Sequence, residues 1–267
     1  MSTVMQSRGS SPLWVLSDYV EMIKRSLRHI ANDPDQLVTV TLQPILTLLI
    51  MNFLIGGAIQ AGTRQSYVDF MLPGVFIVMA GFASVTTAIS VSSDKVQGVV
   101  DRFRTLPMAK SAVISGQVIS DMPRSLIGLG VTVGAGLVIG FRSPAGVGAW
   151  AAAIGITLLV TFALSWLAAV IGLLGGSVEA TQQIAGLIII PTFLSNAVVP
   201  TATMPAWLRV VVANQPLSQA IDCIRALLAG TSLGDHLWIA LSEMVAIIAV
   251  AFVAATLLFR RQAARSA

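Results

Sequence analysis

The chain has 267 residues, of which 55% are hydrophobic and only 10% charged, with a formal net charge of +4. Soluble domains carry about 25% charged residues, and a globule of this size cannot keep so much apolar surface from water. The composition excludes an ordinary soluble fold and predicts an integral membrane protein. The basic residues stand at the ends of apolar runs, where a membrane protein needs them, so the positive charge does not point to nucleic acid.

The first predicted element lies in "SPLWVLSDYVEMIKRSLRHI". Ser11 can cap a helix and Pro12 fits its first turn. Leu16, Val20, Ile23, Leu27 and Ile30 then share one face, while Asp18, Glu21, Arg25 and Arg28 lie on others. The pattern predicts an amphipathic helix within residues 1–35, lying on the inner membrane surface. The N-terminus is polar through Ser11, so no cleavable signal peptide is expected.

A membrane crossing needs roughly 20 apolar residues. Runs between charges predict crossings near 37–58, 69–91, 118–140, 149–174 and 181–199, and a sixth over 237–259 with Glu243 as its only charge. The third includes Asp121 and Arg124, three apart on one helix face and able to pair. Helices are expected because a segment in lipid must satisfy its own backbone groups, and barrel alternation is absent. The predicted fold is thus all-α: a six-span domain over residues 36–260 and a tail over 261–267, both termini cytoplasmic. Eleven Lys and Arg fall inside on this topology, against Arg64, Arg142, Arg209 and Arg225 outside. Gly130 with Gly134 and Gly136 with Gly140 give small-residue spacings that predict close packing within the bundle.

Two connections stand out. Residues 92–111 form a charged cytoplasmic loop whose start can be helical. Val96, Val99, Val100 and Phe103 make its apolar side, and Asp94, Lys95, Asp101, Arg102 and Arg104 its polar side, before Pro107. Topology alone explains the positive charge, but an apolar side predicts docking into a cleft on another protein. Residues 201–235 lie outside and predict two short helices begun by Pro205 and Pro216, the second stopped by Gly230. Leu217, Ile221, Ile224 and Leu228 share a face of that second helix, opposite Ser218, Gln219, Asp222 and Arg225. Neither helix can span, so a re-entrant hairpin in the outer leaflet is expected.

Catalytic signatures are missing. Lys24, Lys95 and Lys110 follow Ile23, Asp94 and Ala109, so no P-loop exists in the chain. Cys223 is the single cysteine, and His29 and His236 lack a clustered ligand set, so neither a disulfide nor a metal site is expected. Glu243 is a candidate pathway residue, since an intramembrane acid is costly.

The loop "SSDKVQGVVDRFRTLPMAKSAVISGQVISD" and the segment "LSNAVVPTATMPAWLRVVVANQPLSQAIDCIRALLAG" together resemble the permease family of type-2 ABC exporters, most closely its daunorubicin/doxorubicin-resistance branch. Gly98, Arg102, Leu106 and Pro107 anchor the first match. Pro200, Met204, Pro205, Trp207, Leu208, Pro216 and Arg225 carry the second, and Asn196 departs from it, since relatives often have Gly there. The resemblance implies a permease without ATPase in a bacterial plasma (inner) membrane, paired with a cytoplasmic ATP-binding subunit that holds ATP and Mg and with a second permease copy or paralogue. It implies that Asp94, Lys95, Gly98, Val99, Arg102, Phe103, Leu106 and Pro107 couple to the ATPase. It implies that a hairpin with Pro200, Pro205, Trp207, Pro216, Asp222 and Arg225 gates the outer end. A hydrophobic cargo, drug-like or lipid, fits a pathway lined by apolar and small residues of the first, second and fifth spans. The rival readings are a polysaccharide or glycolipid exporter of the same family, an ion-coupled carrier using Glu243, and a membrane enzyme.

Overall fold

The computed structural model describes residues 34–56, 67–97 and 110–265. The predicted amphipathic helix and Gly98, Val99, Arg102, Phe103, Leu106 and Pro107 of the charged loop lie outside the described residues. The described fold is helical, in chain order α1 (Pro34–Leu49), α2 (Tyr67–Val96), α3 (Lys110–Ile139), α4 (Val147–Leu174), α5 (Val178–Gly186), α6 (Ile189–Phe193), α7 (Ala206–Ala213), α8 (Pro216–Ala229) and α9 (His236–Arg265). A π-helical turn, Ile50–Ile55, extends α1.

Among the described residues, four stretches are long and apolar enough to cross a membrane: Tyr67–Val96, Ser115–Ile139, Val147–Leu174 and His236–Phe259. They correspond to the second, third, fourth and sixth expected crossings. The first is a shorter apolar helix, Val38–Leu54. The fifth is broken into α5 and α6. Pro191 has no N–H to offer the Leu187 carbonyl, which accepts instead from the Ile190 N–H at 3.2 Å. The Thr192 hydroxyl turns back on the Ile189 carbonyl at 2.6 Å, and the Ser195 hydroxyl on Thr192 at 2.6 Å. Such local bonds compete with the helical ladder, and the chain turns at Ser195–Val198 instead of continuing.

The centre of the bundle is the α2–α4 pair, the most extensive helix contact among the described residues. Small residues allow it. A Cβ on Gly172 of α4 would lie 2.7 Å from the Ala88 carbonyl oxygen of α2, so only glycine permits that approach. Nearer the N-terminal end of α2, a Cβ on Gly74 would collide with the Ala197 backbone in the 195–198 turn. Phe76, Ile77, Leu164, Ile221 and Ile224 fill the core between α2, α4 and α8. Helix α9 packs on α4 and α8 through Ala240, Met244, Ala251, Ala255 and Phe259.

The glycine expectation on α3 is corrected in part. Gly136 meets Leu72, whose Cδ1 would lie 2.8 Å from a Cβ there, but nothing lies within 4 Å of a Cβ at Gly130, Gly134 or Gly140. The buried face of α3 runs through Val118, Leu129, Thr132 and Gly136; Gly130 and Gly134 are one residue out of step and share the exposed face with Leu126 and Val138.

Candidate functional site

Helix α2 carries polar ties at both of its ends. At its N-terminal end, the Arg225 guanidinium on α8 lies 4.0 Å over the Phe70 ring and donates to the Phe70 carbonyl from Nε at 3.3 Å and Nη2 at 3.2 Å. The same Nη2 donates to the Asn196 carbonyl at 3.1 Å, and Nη1 bonds Asp222 Oδ1 at 2.7 Å. That carboxylate oxygen also accepts from Asn196 Nδ2 at 2.7 Å, and the Asn196 N–H donates to the Ser218 hydroxyl at 3.2 Å. One guanidinium therefore clamps three elements: α2, the 195–198 turn and α8. Arginine suits the task, because its planar fork serves several acceptors while its face stacks on an aromatic ring. The Tyr67 hydroxyl adds a bond to the Val198 carbonyl at 2.9 Å.

Local sequence explains how α8 presents the pair. Pro216 stands at its first position, and Gly230 ends it in the left-handed conformation at φ 70° and ψ 24°. Leu217, Ile221, Ile224 and Leu228 are buried, as their spacing predicts. The opposite side is not turned to water as a whole: Ser218 is buried, and Asp222 and Arg225 point into the clamp.

The other predicted hairpin residues serve different purposes. Pro205 precedes α7 and its carbonyl accepts from the Leu208 and Arg209 N–H groups. The Pro200 carbonyl accepts from Thr203. Trp207 is 71% exposed on α7 and makes no part of the clamp. The residues the sequence did not single out are Phe70 and Tyr67; Ser218 figured only on the polar side of the second hairpin helix, and Asn196 only as a departure. Phe70 lies 155 positions from Arg225, so no local pattern announces the contact.

At the opposite end of α2, Asp94 and Lys95 form its last turn. Lys95 Nζ reaches across to α4 and donates to the Leu173 and Gly175 carbonyls, both at 2.8 Å. Carbonyls at a helix C-terminus have no partner within the helix, and the end carries partial negative charge, so an ammonium there is favourable. The Thr181 hydroxyl bonds the Ser92 hydroxyl at 2.9 Å, joining the start of α5 to the same junction. Ser177 caps α5 through the Ala180 N–H at 3.2 Å. The root of the charged loop is thereby fixed to the α4–α5 connection.

In the middle of the bundle, Asp121 and Arg124 do not bond each other but take separate partners on α2. The Thr87 hydroxyl donates to Asp121 Oδ2 at 2.5 Å, and Arg124 Nη2 donates to the Thr86 hydroxyl at 2.5 Å. Glu243 on α9 flanks the packed positions Ala240 and Met244. Its Oε2 is buried without a hydrogen-bond partner among the described residues.

Comparison with known proteins gives a consistent picture. The family described as "ABC-2 type transporter" matches residues 18–229. The chain is 33% identical to the daunorubicin resistance ABC transporter permease protein DrrB1 of Streptomyces coeruleorubidus, over 78% of this chain and 74% of that protein. It is 23% identical to the probable doxorubicin resistance ABC transporter permease protein DrrC of Mycobacterium tuberculosis, over 84% of this chain and 81% of that protein. It is also 25% identical to the putative transport permease ycf38 of Porphyra purpurea, over 81% of this chain and 76% of that protein.

Proposed function

We propose a working mechanism for a chain that belongs to the ABC-2 type transporter family and is the permease of an ABC exporter, with ATP hydrolysed by a partner subunit. The cargo is a hydrophobic small molecule, drug-like or lipid, moved outward across a bacterial plasma membrane. The names of the drug-resistance relatives support that class. Two permeases, identical or paralogous, pair with two ATP-binding subunits that hold ATP and Mg. Six crossings with both termini cytoplasmic complete the topology, α1 serving as the first and the broken α5–α6 as the fifth.

One observation carries the mechanism: α2 runs from the Arg225 clamp to the start of the charged loop. Its 30 residues make a rod about 45 Å long. One end leads directly into the loop at residues 92–111, and the other is held by Arg225. In this reading the loop docks its apolar side, Val99 and Phe103 included, on the ATP-binding subunit. Closure of that subunit displaces α2, and the displacement reaches the 195–198 turn and the α7–α8 hairpin through Phe70. The hairpin seals the outer end of the pathway while the clamp is intact. The Lys95 ties make α4, and the Ser92–Thr181 bond makes α5, move with the root of the loop.

The decisive experiment places charges on the docking side. Val99→Glu with Phe103→Glu is expected to leave membrane insertion intact, to lose copurification of the ATP-binding subunit and to abolish export. Export at the wild-type rate by the double variant would sink the coupling role. Export that follows a proton gradient with no ATPase subunit present would instead favour an ion-coupled carrier using Glu243.

A further inference from the structure

A cleft lies within the single chain, between α1, α2, α3 and α4, and encloses about 620 Å³ counting its open mouth. Its walls are mixed in chemistry. Phe76, Met79, Phe82, Leu129 and Leu158 are apolar, whereas Gln43, Thr86, Arg124 and Ser125 add polar groups, with the further threonines Thr39, Thr157 and Thr161. Arg124 donates to Thr86 from Nη2, and its other N–H groups make no hydrogen bond among the described residues. Thr86 in turn donates to the Ala83 carbonyl at 2.7 Å, so its hydroxyl hydrogen is committed. Asp121, the nearest carboxylate in sequence, is engaged by Thr87 and does not line the cleft.

The result is a guanidinium with donors to spare, in the middle of a helix that crosses the membrane, facing a space walled mostly by hydrocarbon. A charge in that setting is costly and needs acceptors, which apolar walls do not provide. We infer that this cleft binds an amphiphile whose polar end presents hydrogen-bond acceptors, a carboxylate above all, to Arg124, with its apolar body along Phe76, Met79, Phe82 and Leu158. A cationic end is disfavoured, because it would sit against the guanidinium. The binding itself does not depend on the transport reading; that the bound molecule is cargo does rest on it.

The test uses the full chain in lipid nanodiscs and a photoreactive hexadecanoate, with the matching hexadecylamine as its control. Adducts are mapped by mass spectrometry. The acid is expected to label peptides of α2 and α4 around Met79, Phe82 and Leu158 saturably, and unlabelled hexadecanoate is expected to chase it. The amine should label them several-fold less. Arg124→Gln should lower acid labelling roughly tenfold, the effect of one charge-assisted hydrogen bond, while Arg124→Lys keeps the preference for acid over amine. Gly128→Leu fills the space from a position where a Cβ meets only ordinary contacts, Val40 Cγ1 at 3.8 Å, and should block labelling without unfolding the bundle. Equal labelling by acid and amine, or wild-type labelling in both Arg124→Gln and Gly128→Leu, would overturn the site. Addition of the ATP-binding subunit and ATP separates the two sources of such a molecule: labelling that falls marks cargo, and labelling that stays marks a resident bilayer lipid. A permease that labels as expected but never exports would refute the transport reading and leave the site standing.

Discussion

Arg225 shows how much a single side chain can hold. Its side chain is 20% exposed and that of Asp222 34%, so both have given up much of their hydration for each other and for backbone carbonyls. Removing one partner strands the other. Arg225→Met should therefore cost roughly 1–3 kcal/mol, the penalty for a charged group left without its bond. The double change Asp222→Asn with Arg225→Met should recover part of that loss, because no charge is left unpaired. Thermal unfolding of the purified chain reads both values, and a double variant no more stable than the single would remove the ion pair from the account. The residue scale is also where the sequence was least legible. Asp222 and Arg225 were visible as two residues on the polar side of a helix, but Phe70 and Asn196 come from distant segments and bring backbone carbonyls that no side-chain pattern encodes.

Among the elements, α2, α3, α4 and α9 were readable from apolar runs bounded by charge, and α8 from Pro216 and Gly230. The fifth span was not. Its apolar composition matched a crossing, while Pro191 and the hydroxyls of Thr192 and Ser195 divert the backbone bonds that a continuous helix needs. The glycines divide in the same way, since spacing does not say which face is inward. Gly172→Leu must push α2 and α4 apart, so a loss of about 1–3 kcal/mol is expected. Gly130→Ala meets nothing within 4 Å and should be neutral or stabilise by up to about 1 kcal/mol through helix propensity. Thermal midpoints of the two variants should move in opposite senses or by clearly different amounts. Lys95→Met tests the junction of α2, α4 and α5. Loss of a charge at a helix C-terminus costs only about 0.3–1 kcal/mol, so the fold should survive. The effect belongs to coupling instead: cargo exported per ATP hydrolysed, measured in proteoliposomes with the ATP-binding subunit, should fall several-fold. An unchanged ratio would leave Lys95 as a helix cap and nothing more.

For the molecule as a whole, the question is whether the two ends of α2 act together. Residues 67 and 198 mark the junction at the clamp end of α2, the outer end in the proposed topology, without belonging to the Arg225 clamp, and the Tyr67 hydroxyl already touches the Val198 carbonyl at 2.9 Å. With the buried Cys223 replaced by Ala, Tyr67→Cys and Val198→Cys allow a cleavable bifunctional thiol reagent to tie α2 to the turn. If opening requires these elements to part, the tie must stop export. If α2 is a rigid rod, the same tie must also reduce ATP hydrolysis at its far end, about 45 Å away, because the loop can no longer follow the ATP-binding subunit through its cycle. Reductive cleavage of the reagent should restore both rates. Export that continues under the tie would show that the outer junction does not open. Export that stops while hydrolysis runs on would show that α2 bends, and that the work is carried across the membrane by another helix. The close α2–α4 packing at Gly172 and the Lys95 bonds to the end of α4 favour the rigid outcome, since a bend in α2 would have to break contacts along its most extensive interface.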